Sequence, residues 1–302
     1  MLTETILTHP PRILSEEQRS FYFAKGYLLV EKLIDDDLLD RLRAVTTEFV
    51  DRGRLATTTD KAFDIAPGHG PKHPRLRRLN TPDQQHPIYW EFATGVIADV
   101  AADLVGPNVA FHHSKLNFKW NDGADGVGWH QDIPFYPHSN YSPLTIGTYL
   151  TDTDMAHGPV AVIAESHEGP LYDHYDREGS WAGCLSEVDV GGLKLSKAEK
   201  LTGPAGSITV HNCRTIHGSP PSEVDKGRPL LLNAYTSADA VAYSELDPPA
   251  RSTHGGAIVR GTRPAQAHVD PRPCAMPPDW SGENTSIYAN QSGEHKRARR
   301  DG

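Results

Sequence analysis

Hydrophobic and polar positions follow two periods along the chain. Up to about residue 105 the period is helical. Ser15-Glu16-Glu17-Gln18 fits a capping box with Ser15 as N-cap, and Gly26 is the expected stop. Tyr27-Leu28-Leu29-Val30 reads as a short strand. Asp35-Asp36-Asp37 opens a second helix, in which Leu38, Leu39, Leu42, Val45 and Phe49 recur at helical spacing until Gly53. Residues 54–84 are polar, basic and broken by proline, which predicts a long loop. A third helix is predicted over about 88–104, ahead of Gly106-Pro107. From about Val109 the period shortens to that of strands between turn signals, at 110–120, 144–150, 160–163, 206–211 and 229–235, with an insertion at about 168–200. This order predicts a mainly β fold, an antiparallel sandwich or barrel of the jelly-roll kind with helices packed outside. No repeat and no clean linker interrupts it. The reading is therefore one domain over 1–302: a helical part to about 105, a core over about 106–245, and a turn-rich tail over about 246–302.

Composition narrows the function. The 302 residues hold 26 Gly and 24 Pro, which demands many turns and argues against a helical bundle. A net charge of −9 speaks against nucleic acid as a partner, because phosphate binding needs a positive field. No apolar run reaches the roughly 18 residues of a membrane span. The start Met1-Leu2-Thr3-Glu4-Thr5 lacks the pattern of a secretory signal. Cys184, Cys213 and Cys274 are scattered and odd in number, giving neither a disulfide framework nor a CxxC zinc site. The expected setting is the cytoplasm. What stands out is 16 histidines.

Trp129-His130-Gln131-Asp132 is the strongest local signal. On an extended segment, residues i and i+2 project from one face, so His130 and Asp132 can converge on one ion. Alone, a His-x-Asp also fits a polar surface loop. His217, in Thr215-Ile216-His217-Gly218-Ser219, is the best third ligand, brought near by the strand order of a jelly roll. Two histidines and a carboxylate leave coordination positions open, as non-haem Fe(II) oxygenases require. The same set also fits a hydrolytic zinc centre. Arg228 stands at the entrance of the apolar run Pro229-Leu230-Leu231-Leu232. A guanidinium there needs an anionic partner, which a dicarboxylate co-substrate would supply.

These segments, in order, resemble the phytanoyl-CoA dioxygenase family of Fe(II)/2-oxoglutarate oxygenases. The matching stretches are Gly106-Pro107-Asn108, His113-Ser114-Lys115-Leu116-Asn117-Phe118-Lys119, Trp129-His130-Gln131-Asp132 and Phe135-Tyr136-Pro137-His138. Further on come Gly158-Pro159-Val160, Gly206-Ser207-Ile208, His217-Gly218-Ser219, Arg228 and Ser237-Ala238-Asp239-Ala240, within roughly residues 15–245. The resemblance implies a double-stranded β-helix, cupin-like core. It implies Fe(II) held by His130, Asp132 and His217, with O2 and 2-oxoglutarate as co-substrates. Arg228 would bind the distal carboxylate with Ser219 nearby, and Asn117, Thr145 and Tyr149 would be further cofactor contacts. Family members that halogenate replace the metal carboxylate with a small residue, so Asp132 favours hydroxylation. The loop Ser219-Pro220-Pro221-Ser222 departs from relatives, which often carry Asn there. The expected reaction is hydroxylation of an unactivated C–H in a small metabolite or natural-product intermediate. The same machinery would also serve desaturation, epoxidation or ring rearrangement, and a zinc hydrolase or a catalytically silent barrel binding protein are more distant alternatives.

Around this core, Lys115, Phe135 and His138 are candidate substrate contacts, with Tyr136 beside them. His112 and His113, neighbours on a strand, are expected on opposite faces. His211 is expected to support the site by packing. Lys115 and Lys119 are expected to share a face. Trp181 and the charged stretch 172–188 read as a lid over the mouth. Lys296-Arg297-Ala298-Arg299-Arg300 reads as a solvated, mobile tail. The partner expected is a small molecule, and nothing resembles an adenine-nucleotide motif.

Overall fold

The local signals set the first elements. In the computed structural model, which describes residues 2–120, 126–225, 227–246, 251–270, 273, 275–278, 280 and 287–292, a short helix α1 (Thr3–Leu7) precedes α2 (Glu16–Lys25). Ser15 caps α2 as expected: its Oγ accepts from the Gln18 N–H, and the Gln18 side chain accepts from the Ser15 N–H. Gly26 ends the helix at φ +79°. A Cβ there would also strike the His167 ring, so glycine is required twice over. Strand β1 (Tyr27–Val30) follows. Helix α3 (Asp36–Gly53) is capped by Asp35, which accepts from the Leu38 N–H.

Two expectations for this half are corrected. The stretch 54–84 is not a loop. It carries strands β2 (Phe63–Ile65) and β3 (Leu76–Asn80) and helix α4 (Pro82–Gln85). Arg77 and Arg78 made β3 look solvated, yet every residue of it is buried. The third helix is two, α5 (Pro87–Thr94) and α6 (Val96–Val105), broken at Gly95. The carbonyls freed by the break are taken by Arg260, whose Nη1 and Nη2 donate to Thr94 and Gly95 at 2.8 and 2.7 Å.

The remaining strands are β4 (Val109–Asn117), β5 (Val127–His130), β6 (Leu144–Tyr149), β7 (Val160–Val162), β8 (Glu199–Leu201), β9 (Ile208–Asn212), β10 (His217–Ser219), β11 (Leu230–Ser237) and β12 (Ile258–Arg260). Helix α7 (Glu187–Gly191) lies in the 168–200 insertion, and α8 (Ile287–Gln291) lies in the C-terminal region. Among the described residues the strands form two antiparallel sheets. The larger runs β1-β9-β6-β11-β4-β3-β2, with β12 also on β4, and the smaller runs β5-β10-β7-β8. This is the mainly β, jelly-roll architecture with flanking helices that the pattern predicts.

Side chains alternate across the larger sheet and so divide the molecule. Leu116, Leu231, Ile146 and Val210 point outward and join Tyr89, Phe92, Ile97 and Leu104 of α5 and α6 in the main apolar core. Lys115, Leu232, Gly147 and Thr209 stand opposite one another on the inner face, toward the smaller sheet. A smaller apolar cluster of Tyr149, Val160, Val162, Leu201, Leu230 and Leu232 fills part of the space between the sheets. The tail is not free chain throughout: β12 pairs with β4, and Trp280 and Tyr288 are buried. The basic run 296–300 lies outside the described residues.

Candidate metal centre and its cavity

β5 and β10 pair antiparallel with His130 directly opposite His217, and Asp132 follows β5 by two residues. Cross-strand pairing thus does what the linear spacing could not, placing two imidazoles side by side with ring centroids 4.0 Å apart. His130 Nε2 and His217 Nε2 lie 3.8 and 3.7 Å from Asp132 Oδ1. All three residues are buried, and their ligand atoms lie within 4.8 Å of one another.

The hydrogen bonds behind these atoms fix what they offer. His130 Nδ1 sits 2.9 Å from the Gly128 carbonyl, and His217 Nδ1 sits 2.9 Å from the Thr215 carbonyl. A carbonyl only accepts, so each Nδ1 carries the proton and each Nε2 presents a lone pair. Burial reinforces this: it pushes His130 down to about 4 and His217 well below its ordinary value, so both rings are neutral near pH 7. Asp132 Oδ2 accepts from Thr145 Oγ1 at 2.8 Å and from His211 Nε2 at 3.2 Å. That leaves Oδ1 turned toward the two imidazoles. Burial works to raise the Asp132 carboxyl, but the His211 hydrogen bond and the Lys115 charge hold it below its ordinary value and ionised. The result is an N2O donor set with free lone pairs, suited to a divalent ion with open positions.

Arg228 lies along the inner space and is 2% exposed. Its main-chain N–H donates to Lys119, but its Nε and Nη1 find no partner among the described residues. Its Cζ stands 5.8 Å from the ring centroid of Tyr149. The Tyr149 hydroxyl is engaged elsewhere, donating to the Leu201 carbonyl and accepting from the Val160 N–H. His130, Asp132, His217, Thr145, Asn117, Lys115, Ser219 and Arg228 line one lobe of a cavity, about 60 Å³ in volume.

A second lobe, also about 60 Å³, shares Lys115 and Asp132 with the first and is lined further by Arg78, His113, Phe135 and Tyr136. Ile287 borders both lobes, while Trp280 and Asn290 close the second. α8 is tied down by Gln291, whose Oε1 accepts from the Gly128 N–H at 2.8 Å and whose Nε2 donates to the Gly183 carbonyl at 2.9 Å. A larger open groove of about 960 Å³, bordered by Thr46, Arg54, Lys72 and Trp120, carries none of the candidate ligands.

The other expected residues divide. Phe135 is at the cavity, its ring edge-on to Trp181 at 5.1 Å. His138 is buried beside His112 and borders neither lobe. His112 and His113 do not face opposite sides. A bulge in β4 opposite Ala234 and Tyr235 brings their Nδ1 atoms to 2.7 Å. Lys119 parts from Lys115 because β4 ends at Asn117; it is buried and its Nζ bonds the Pro220 carbonyl. The 168–200 insertion does pack at the mouth: Trp181 stacks on His174 and meets Tyr175 and Trp280. Sequence reading missed two residues. Arg78 was hidden in the supposed loop. Gln131, between two ligand residues, was unweighed. Its side chain points away from the donor set, bonding the Pro170 and Arg214 carbonyls and the Tyr172 N–H, and so anchors the insertion.

Comparison with known proteins agrees with this geometry. A family model described as phytanoyl-CoA dioxygenase (PhyH) matches residues 22–229. The chain is 32% identical over 236 residues to a Stutzerimonas stutzeri protein named probable alpha-ketoglutarate-dependent hypophosphite dioxygenase, covering 76% of this chain and 80% of that one. It is 25% identical over 239 residues to the peroxisomal phytanoyl-CoA dioxygenase of Rattus norvegicus, covering 75% and 70%. Among solved structures, EctD from S. alaskensis in its apoform superposes with a TM-score of 0.64 at 20% identity, over 87% of this chain and 89% of that one, a likeness of fold.

Proposed function

This chain belongs to the phytanoyl-CoA dioxygenase family, and from that premise we propose how its residues divide the work of an Fe(II)- and 2-oxoglutarate-dependent dioxygenase. His130, Asp132 and His217 hold Fe(II) through Nε2, Oδ1 and Nε2. Arg228, with Ser219 beside it, binds the distal carboxylate of 2-oxoglutarate. Bound iron supplies the oxidative chemistry, in which O2 and 2-oxoglutarate are consumed as a substrate C–H becomes C–OH and succinate and CO2 leave. Thr145 and His211 hold Asp132 so that one oxygen stays free for the metal. Asn117 and the Tyr149 ring shape the co-substrate lobe. Phe135, Trp280 and Ile287 line the cavity beside the donor set, with Trp181 packed against Phe135, and together they would keep bulk water from the donor set. Asp132 retains the third ligand position, which favours hydroxylation of a small molecule over halogenation; desaturation, epoxidation and ring rearrangement are alternatives that use the same three ligands.

The observation that carries this reading is the orphaned Arg228. A buried guanidinium with two unpartnered nitrogens costs several kcal/mol unless an anion completes it. A dicarboxylate reaching from the donor set does so. The names of the relatives span a phosphorus oxyanion, a CoA thioester and ectoine, so they leave the substrate open. We also read the chain as one catalytic domain, supported by N- and C-terminal strands that join the same sheet. The cytoplasm is its proposed location, supported by the free thiols of Cys184 and Cys213; among the described residues no helix is long and apolar enough to cross a membrane. An acidic net charge supports a small-molecule partner over nucleic acid.

The test is anaerobic titration with Fe(II) and 2-oxoglutarate. A visible charge-transfer band is expected in the native chain. It is expected to vanish in His130→Ala, Asp132→Ala and His217→Ala, and to need far more 2-oxoglutarate in Arg228→Gln. A band that survives loss of a named ligand removes that residue from the iron sphere.

A further inference from the structure

Part of the cavity wall comes from outside the stretch that matches the family. That match ends at residue 229, and it contains every candidate metal ligand and co-substrate contact. Trp280, Ile287 and Asn290, which border the second lobe, lie well beyond it. α8 reaches the lobe because Gln291 fixes it in register with the metal centre. Gln291 Oε1 accepts from the Gly128 N–H, and the Gly128 carbonyl is the group that holds His130 Nδ1. The other end of the same amide, Nε2, donates to Gly183 in the 168–200 insertion. One side chain therefore ties α8 both to the ligand strand and to the insertion. With α8 so placed, Ile287 borders both lobes, Tyr288 the first and Asn290 the second.

Asn290 differs from its neighbours in that wall. It is 5% exposed, and its Oδ1 finds no hydrogen-bond partner among the described residues. A buried acceptor left unpaired bears the full cost of leaving water, and a ligand donor placed against it removes that cost. Phe135, Leu246, Trp280 and Ile287 give the same lobe apolar surface. Its volume of about 60 Å³ is far below the roughly 300 Å³ at which drug-sized pockets begin, so the group that fits is small. We infer that α8 selects the substrate: Asn290 Oδ1 accepts a hydrogen bond from an O–H or uncharged N–H donor of the substrate, and Ile287 and Trp280 bound the apolar carbon beside that donor. The inference rests on the dioxygenase reading and adds a substrate class to it. The part of the chain that matches the family carries the reaction, and a helix outside that part carries the choice of substrate. A pocket built around one polar group discriminates sharply, because an analogue without the donor leaves that group unpaired.

The experiment uses the full chain loaded anaerobically with Fe(II) and 2-oxoglutarate. The probes are n-butanol and butyramide, which carry a donor, and methyl propyl ether, an isomer of the alcohol that carries none. Binding is read from the perturbed charge-transfer band and from slowed hydrogen exchange across α8. The alcohol or the amide is expected to act at about one tenth of the concentration that the ether needs, the equivalent of one neutral hydrogen bond. Asn290→Leu, of nearly the same size, is expected to erase that tenfold preference, and Asn290→Asp, which keeps an acceptor, to retain it. Asn290→Ala gives a second variant without the amide should leucine disturb the fold, and a thermal melt like that of the native chain reports that each variant is folded. The inference is overturned if the ether acts at the same concentration as the alcohol and the amide, if no probe perturbs an existing band, or if the variants that lack the amide keep the preference. Absence of the band in the native chain would instead sink the dioxygenase reading itself.

Discussion

The two faces of the larger sheet are made by the same strands and obey opposite rules. On the outer face Leu116, Ile146, Val210 and Leu231 are apolar, buried and packed on α5 and α6. One residue along each strand, the inner face presents Lys115, Thr145, His211 and Leu232 to the cavity. The outer face satisfies itself, since burial alone holds it. The inner face is incomplete: among the described residues it has orphaned nitrogens on Arg228 and His211, and it looks onto the free lone pairs of His130 and His217 on the smaller sheet. A period of two thus separates stability from chemistry along one strand, and the comparison can be attacked from either side.

Acid should attack the buried histidines around the cavity. Burial holds His130 and His174 at about 4, against about 6.5 for an exposed imidazole, and pushes His112, His113 and His217 well down. A lowered pKa in the fold means that the unfolded chain binds protons more readily. The stability contributed is therefore present above about 6.5 and lost as pH falls through the folded value near 4. For His130 and His174 this is about 3 kcal/mol each, from the shift of roughly two and a half units. The Tm of the metal-free chain should fall steeply from pH 6.5 to 4, with protons taken up on unfolding. A flat Tm across that range would show that the rings are solvated and the inner face is open to water.

Leu231 and Leu232 are adjacent and point opposite ways, so they test the division directly. Leu231→Ala should cost about 2–5 kcal/mol, the range for a buried leucine, and leave 2-oxoglutarate affinity intact. Leu232 lines the lobe that holds Arg228, so Leu232→Ala should raise the 2-oxoglutarate requirement as well as lower Tm. Equal effects of both on co-substrate affinity would dissolve the distinction. Chemical denaturation and the anaerobic titration together read both quantities.

What the sequence made legible follows the same division. The caps at Ser15 and Asp35, the stop at Gly26 and the outer-face leucines are local or periodic signals, and local physics enforces them. His130 and Asp132 were legible because their spacing is chemical, and His217 because the expected jelly-roll strand order and the ordered family motifs bring it to them. β3 was not legible: Leu76-Arg77-Arg78-Leu79-Asn80 alternates poorly, and Arg78 is buried where β4 and the cavity lie beside it. The opposite faces expected of His112 and His113 failed because a bulge, set by the partner strand, is invisible in one strand read alone. The role of Gln131 depends on where the 168–200 insertion returns, which no spacing encodes.

The finest test concerns residues that bond a candidate ligand and offer no donor atom to the metal themselves. Thr145 Oγ1 and His211 Nε2 both donate to Asp132 Oδ2, from adjacent positions on β6 and β9. They are positioning residues: they hold the carboxylate so that Oδ1 faces the imidazoles. Loss of such a partner lowers metal affinity by about 10–100-fold while the ligands remain. Thr145→Ala should therefore weaken Fe(II) binding by that factor with little change in Tm, since it removes one hydroxyl and one methyl group. Thr145→Ser, which keeps the donor, should restore most of the affinity, whereas Thr145→Val, which keeps the shape, should not. If Val rescues and Ser does not, Thr145 acts by packing, and at that position the inner face follows the rule of the outer one.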